Sequence, residues 1–130
     1  KCYIVRKGAS RPDLPKKFDG VVIDYLPEKE KVEVFNKCEY CISYDTQTSY
    51  SKIAAICGCI SIVVPEEGKS RRDYISTNEK CYGVAYGYSK EEINFSLETQ
   101  EKALQFYKDL NEKSMNQIKS FVKKCEEYFN

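Results

Sequence analysis

Histidine is absent from all 130 residues. That removes histidine-ligated metal centres and any Ser-His or Cys-His nucleophilic pair from the chemistry this chain can perform by itself. Long apolar runs are missing as well. No stretch approaches 18 consecutive apolar residues, so no membrane-spanning helix is expected. The opening residues KCYIVRKG contain no signal-peptide h-region and already read as a strand. A start at Lys1 rather than methionine points to a fragment or a trimmed chain. Charge of either sign is not in excess: 21 Lys and Arg face 20 Asp and Glu, a net of +1. A dedicated nucleic-acid binder carries a strong basic excess, so nucleic acid is not an expected partner. Local basic runs remain at Arg6-Lys7, Lys16-Lys17 and Lys69 to Arg72. They are ordinary solvated surface or holders of a phosphate-bearing small molecule. The length is that of one domain with one core.

Cysteine is abundant by contrast, at seven: Cys2, Cys38, Cys41, Cys57, Cys59, Cys81 and Cys125. The odd count and the placement inside apolar runs favour free buried thiols in a reducing compartment. Zinc is the sharper alternative, because Cys38-x2-Cys41 and Cys57-x-Cys59 stand 15 residues apart, near a ribbon spacing. Ribbon ligands sit on exposed knuckle turns, however. Cys41 lies in an expected strand, and Cys57-Gly58-Cys59 joins a helix directly to a strand. Reduced, metal-free cysteines are therefore expected.

Apolar patterning lays out the elements. Cys2-Tyr3-Ile4-Val5 is a short buried strand, and 8–20, with Pro12, Pro15 and two glycines, is loop. Val21-Val22-Ile23 is β-branched and continuous, a second buried strand. Pro27 opens a helix with Glu28, Glu30 and Glu33 near its positive end and Val32 and Phe35 at one-sided spacing. Residues 39–43 form the third strand, 51–57 a helix apolar nearly all round and stopped by Gly58, and 61–64 the fourth strand. After a loop and a short charged helix in 66–77, residues 82–87 give a weaker fifth strand. Ser89-Lys90-Glu91-Glu92 has capping-box spacing before a helical period through Ile93, Leu97, Leu104 and Phe106-Tyr107. A final helix is expected over about 112–128, with Met115, Ile118, Phe121, Val122 and Cys125 on one face. The sum is a single α/β domain over 1–130. It has an open, mainly parallel, Rossmann-like sheet flanked by helices, and 89–130 forms a C-terminal segment of two helices.

One stretch carries more hydrogen-bonding groups than a simple connection needs: Ser43-Tyr44-Asp45-Thr46-Gln47-Thr48-Ser49-Tyr50. It lies between the third strand and the small-residue helix of a βαβ unit. In such units ligands bind at the strand's carboxyl end, where free N–H groups and the helix dipole suit anions.

The order Ile23-Asp24-Tyr25-Leu26-Pro27, Val32-x-x-Phe35-Asn36-x-Cys38-Glu39-Tyr40-Cys41-Ile42-Ser43 resembles the nucleotide-binding half of GT-B-type glycosyltransferases. Ala54-Ala55-x-Cys57-Gly58-Cys59-x-Ser61-Ile62-Val63 is similar to the family's following helix and strand. More narrowly, Ser43-Tyr44-Asp45-Thr46-x-Thr48, Cys57-Gly58-Cys59 and Tyr82-Gly83-Val84-Ala85-Tyr86-Gly87 look like a bacterial subgroup linked to surface-polysaccharide assembly. The likeness covers about residues 2–88. It implies a nucleotide-sugar donor as substrate, with no cofactor and no tightly bound metal. It also implies a glycan or lipid-linked acceptor, an N-terminal acceptor domain outside this chain, and a place in the cytoplasm or peripheral to the inner membrane. As a hexosyltransferase half, the chain alone would be inactive. The acidic pair of many retaining members is not clear, since Ala54 stands where its second glutamate often lies, so the catalytic residues stay unassigned.

On this reading Thr46, Gln47, Thr48 and Ser49, together with Tyr44 and Asp45, hold the diphosphate. Arg6 and Lys7, after strand one, supply positive charge. Tyr25 and Leu26, after strand two, contact base or ribose, and Glu66, Glu67 and Gly68 meet ribose or sugar hydroxyls. Each also has an ordinary reading: Arg6 and Lys7 as surface charge, Tyr25 as core edge, Glu66 as a turn residue. Two other hypotheses stand beside the transferase. One is a non-catalytic flavodoxin-like or receiver-like module with Asp45 as phosphoacceptor, although Arg6-Lys7-Gly8 replaces a receiver's acidic pair. The other is a structural α/β fragment with a vestigial loop.

Overall fold

A computed structural model describes residues 1–110. Five strands, β1 (Cys2–Ile4), β2 (Val21–Val22), β3 (Tyr40–Ser43), β4 (Ile60–Val63) and β5 (Val84–Tyr86), form one sheet in the order β2-β1-β3-β4-β5. Every pairing is parallel. The sheet is thus open, parallel and flanked by helices, as the apolar runs predict. The expected helix at about 112–128 lies outside the described residues.

In a parallel sheet, residues in register share a face. Cys2, Cys41, Ser61 and Val84 therefore line one face together with Ile4, Ser43, Val63 and Tyr86. Helices α1 (Glu28–Lys37), α2 (Tyr50–Ile56) and α6 (Gln100–Leu110) bury the first part of that face. Val32 and Phe35 of α1, Ile53, Ala54 and Ile56 of α2, and Ala103 of α6 form one core with Cys2, Ile4 and Cys41. Farther along, Val63, Val84 and Tyr86 pack with Cys81, Tyr74, Ile75 and Phe95. The opposite face, with Tyr3, Ile42, Ile62 and Ala85, is buried too. Burial on both faces explains the continuous apolar strand sequences.

β2 departs from expectation. Only Val21 and Val22 pair, Val21 is 46% exposed, and the strand forms the sheet's edge. Ile23 alone of that run is fully buried. Three β-branched residues in a row do not distinguish an edge strand from a central one, because both favour the same extended backbone.

The other edge is covered by a device of two side chains. Helix α5 (Lys90–Glu98) lies beside β5, where Glu92 Oε1 accepts the Tyr86 N–H at 2.8 Å and Thr99 Oγ1 accepts the Gly83 N–H at 2.8 Å. Ser89 caps α5 by accepting the Glu92 N–H at 3.2 Å, half of the expected capping box. The Glu92 carboxylate does not return to Ser89. It serves β5 and pairs with Arg71 at 2.6 Å. The reciprocal box occurs instead at Ser70 and Asp73, opening the single-turn helix α3 (Arg71–Tyr74). Helix α4 (Asn78–Cys81) follows. Leu97, placed in the apolar period by spacing, is 46% exposed.

No helix among the described residues is long and apolar enough to cross a membrane.

Candidate functional site at the strand carboxyl ends

The chain leaves β1 toward β2 on one side and returns to β3 on the other, so the direction of winding reverses between β1 and β3. Open α/β sheets bind ligands outside the carboxyl ends at such a point. Two of the expected segments meet there. Arg6 and Lys7 form a single 3-10 turn, Arg6–Gly8, immediately beyond β1, and 44–50 follows β3. Their backbones touch closely: a Cβ added at Gly8 would fall 2.2 Å from the Tyr44 carbonyl oxygen. Only glycine fits, and this contact fixes the two loops against each other.

Two carboxylates hold the loops. Asp24, just past β2, accepts the N–H groups of Val5 at 3.0 Å and Arg6 at 3.1 Å. Asp45 is 2% exposed; it accepts the Gln47 N–H at 2.9 Å and lies 3.5 Å from the Lys7 nitrogen. Ser43 Oγ closes the turn from the other side, donating to the Asp45 carbonyl at 2.7 Å. Asp45 thus positions the loop from within and does not reach outward. Thr48 Oγ1 accepts the Tyr50 N–H at 3.2 Å, which orders the start of α2 and leaves the hydroxyl proton to donate elsewhere. Thr46 is half-buried, and Gln47 and Ser49 are exposed, as are the side chains of Arg6 and Lys7.

Tyr50 links this loop to α1. Its hydroxyl donates to Glu28, its ring carries the Lys31 ammonium at 4.1 Å, and Arg6 is close enough to act on it electrostatically. The hydrogen bond to Glu28, with burial, pushes the phenol up to about 12.

The remaining expected residues divide. Tyr25 is 96% exposed after β2, whereas Leu26 packs on the core beneath α1. Glu66, Glu67 and Gly68 are exposed beyond β4. Glu66 is tied to α3: its N–H donates to the Tyr74 hydroxyl at 2.8 Å, and that hydroxyl donates to its carboxylate at 3.3 Å.

Sequence patterning missed Arg11, which organises the edge. Its guanidinium donates to the Tyr44 carbonyl at 3.1 Å, to Val64 at 2.6 Å and to Pro65 at 3.1 Å, while Asp13 grips its outer side at 2.7 Å. Arg11 therefore binds the carboxyl ends of β3 and β4 together, and its hydrogen bonds, with its charge, hold the Asp13 carboxyl below the usual range. The signal was present as an Arg-Pro-Asp in a loop that must cross the sheet edge. The partners are backbone carbonyls, which sequence does not mark.

The thiols collect at the other end of the sheet. Cys2 and Cys41 are register partners on β1 and β3, and the Cys59 thiol donates to the carbonyls of Phe35 at 2.9 Å and Cys38 at 3.3 Å. Hydrogen bonds from Cys41, Cys59 and Cys38 hold the Cys2 thiol well below its ordinary value, and the Cys41 and Cys59 thiols are pushed up in return. None of the six cysteines among the described residues is in a disulfide, and no three ligating side chains there are grouped to hold a metal ion. Comparison with protein-family models, curated proteins and solved structures finds no match.

Proposed function

We propose that this chain is the donor-binding domain of a glycosyltransferase of hexose-transferring type. The nucleotide-sugar diphosphate lies across the carboxyl ends of β1 and β3. The observation that carries this reading is the meeting of the Arg6-Lys7 turn and the hydroxyl-rich 44–50 loop at the point where the winding of the sheet reverses. A sugar-nucleotide bond breaks with negative charge growing on the diphosphate. Two exposed cations, the hydroxyls of Thr46, Thr48 and Ser49, and the loop N–H groups not engaged by Asp45 and Thr48 would stabilise that charge. Asp45 serves as an internal brace, so the base that activates the acceptor comes from an N-terminal acceptor domain. The acceptor is a glycan or lipid-linked glycan of bacterial surface-polysaccharide assembly, handled in the cytoplasm or at the inner membrane. These last points rest on the resemblance of the motifs quoted above.

The test uses two substitutions and two ligands. Thr48→Ala removes one hydroxyl donor to a charged group, worth roughly 1.5–3 kcal/mol, so nucleoside-diphosphate affinity falls about tenfold or more. Arg6→Ala weakens binding and flattens its salt dependence. The nucleoside without phosphates is nearly indifferent to both. Equal losses for diphosphate and nucleoside would mean that the loop only supports the fold.

A second reading has one observation in its favour. The order β2-β1-β3-β4-β5 is that of flavodoxin-like and receiver modules, with Asp45 just past β3. A phosphoacceptor must be reachable, however, and Asp45 is buried with its oxygens turned to backbone N–H groups.

A further inference from the structure

Four thiols meet at the amino end of the sheet, away from the candidate site. Cys2 and Cys41 are register partners on β1 and β3, and both pack in one core with Cys59, while Cys38 is set against them. Cys2 is the hub, in hydrogen-bond contact with the thiols of Cys41, Cys59 and Cys38. The Cys59 thiol spends its proton on the Phe35 carbonyl at 2.9 Å. Cys41 and Cys38 are therefore the neighbours left to act with Cys2.

Backbone position and burial single out one of the two. Cys41 stands beside Cys2 in the ladder, where paired strands keep about 4.8 Å between chains, wider than the Cβ separation of about 3.8 Å that a disulfide favours. Cys38 is outside the ladder. It ends α1 in the connection to β3, with its N–H bonded back to the Val34 carbonyl at 3.1 Å. Its side chain can close on Cys2 without parting any strand. Cys2, Cys41 and Cys59 are fully buried, whereas Cys38 is half-buried and the most accessible of the four. The contacts that favour the anion at Cys2 also make it the ready nucleophile of the group.

We propose that Cys38 is an oxidation site for hydroperoxides and that Cys2 resolves it as a reversible Cys2–Cys38 disulfide. The Cys38 sulfur takes one oxygen of the peroxide as the O–O bond breaks, and the thiol proton leaves with the departing water or alcohol. Cys38 is then a sulfenic acid. The Cys2 sulfur attacks the Cys38 sulfur, the S–O bond breaks, and the hydroxyl leaves with a proton as water. The two thiols have together given one electron pair to the peroxide, and a dithiol reductant returns it. The new bond ties β1 to the α1–β3 connection across 36 residues of sequence and leaves the carboxyl-end loops as they are.

The experiment treats the native, reduced chain with hydrogen peroxide, blocks the remaining thiols with N-ethylmaleimide and maps disulfides by mass spectrometry. Proteolytic cleavage after Glu39 separates Cys38 from Cys41, so the two possible pairings of Cys2 give different peptides. A Cys2–Cys38 cross-link is expected, reversed by dithiothreitol. The oxidised chain should unfold at a higher urea midpoint than the reduced one, and the gain should vanish with the reductant. In Cys38→Ser, a change at a half-buried position whose fold is checked by circular dichroism, peroxide should leave the midpoint unmoved. Absence of the cross-link, with Cys38 still reduced or carried on to sulfinic acid, would overturn the proposal. A Cys2–Cys41 bond in its place, or a Cys2–Cys38 bond that forms only in urea-unfolded chain, would overturn it equally.

Discussion

Arg11 donates to the carbonyl oxygen of Val64 at 2.6 Å across 53 residues of sequence, joining the loop after β1 to the end of β4. The same guanidinium reaches Tyr44 and Pro65. One side chain thereby sets the relative position of three segments at the candidate site.

Arg11→Ala is expected to destabilise the chain by ~2–4 kcal/mol, because charge-assisted hydrogen bonds to three carbonyls vanish at a largely buried position. Arg11→Lys should recover little, since an ammonium lacks the planar fork that reaches separated acceptors. Urea unfolding midpoints at constant m-value measure both changes. A loss under 0.5 kcal/mol for the alanine variant would show that the loop holds without its clamp.

Gly8→Ala places a methyl carbon 2.2 Å from the Tyr44 carbonyl oxygen, so the two site loops must part. Overpacking of this kind costs about 1–3 kcal/mol. Because the loops are the proposed diphosphate cradle, nucleotide affinity should fall together with stability. By contrast Gly68, with open space around it, should accept alanine with only the strain of its positive φ of 78°.

The elements were legible where local chemistry decides them. β-branched and apolar runs marked four of the five strands well. Pro27, Gly58 and Ser89 mark helix ends, and the polar 44–50 loop stands out because hydroxyls crowd it. Misreadings arose where a partner lies far off in sequence. Val21 and Val22 look central but pair on one side only. Glu92 has capping-box spacing, yet a free strand edge and Arg71 claim its carboxylate. Arg11 and Asp24 act on backbone groups.

Stability should fall in alkali as Tyr3 and Tyr50 are forced to ionise. Burial, with the hydrogen bond to Asp19, pushes Tyr3 up to about 12, and the hydrogen bond to Glu28, with burial, does the same for Tyr50. Above an unfolded value near 10, the unfolded chain sheds protons that the folded chain retains. This contribution is whole below pH 10 and is lost as pH rises toward 12. Thermal unfolding across that window should decline less steeply for Tyr3→Phe and Tyr50→Phe. Parallel profiles for the parent and the variants would rule these phenols out.

Thiol reactivity should follow burial. Cys38 is half-buried, whereas Cys2, Cys41 and Cys59 are fully buried. Among these four, mass-spectrometric mapping after brief alkylation of the native chain should find Cys38 labelled first. About one zinc per chain by metal analysis, lost on Cys41→Ser, would contradict the reading of these residues as reduced, metal-free core thiols.

The central claim is that a nucleoside diphosphate binds where the β1 and β3 loops meet. Titration of the isotopically labelled chain with UDP, GDP, dTDP and CMP, followed residue by residue through backbone amide resonances, tests it most directly. One of the four is expected to shift the amides of 6–8 and 44–50 in a saturable way. At 100 times its dissociation constant it should stabilise the fold by about 2.7 kcal/mol. Silence from all four ligands, or shifts confined to residues away from those two loops, would contradict the account.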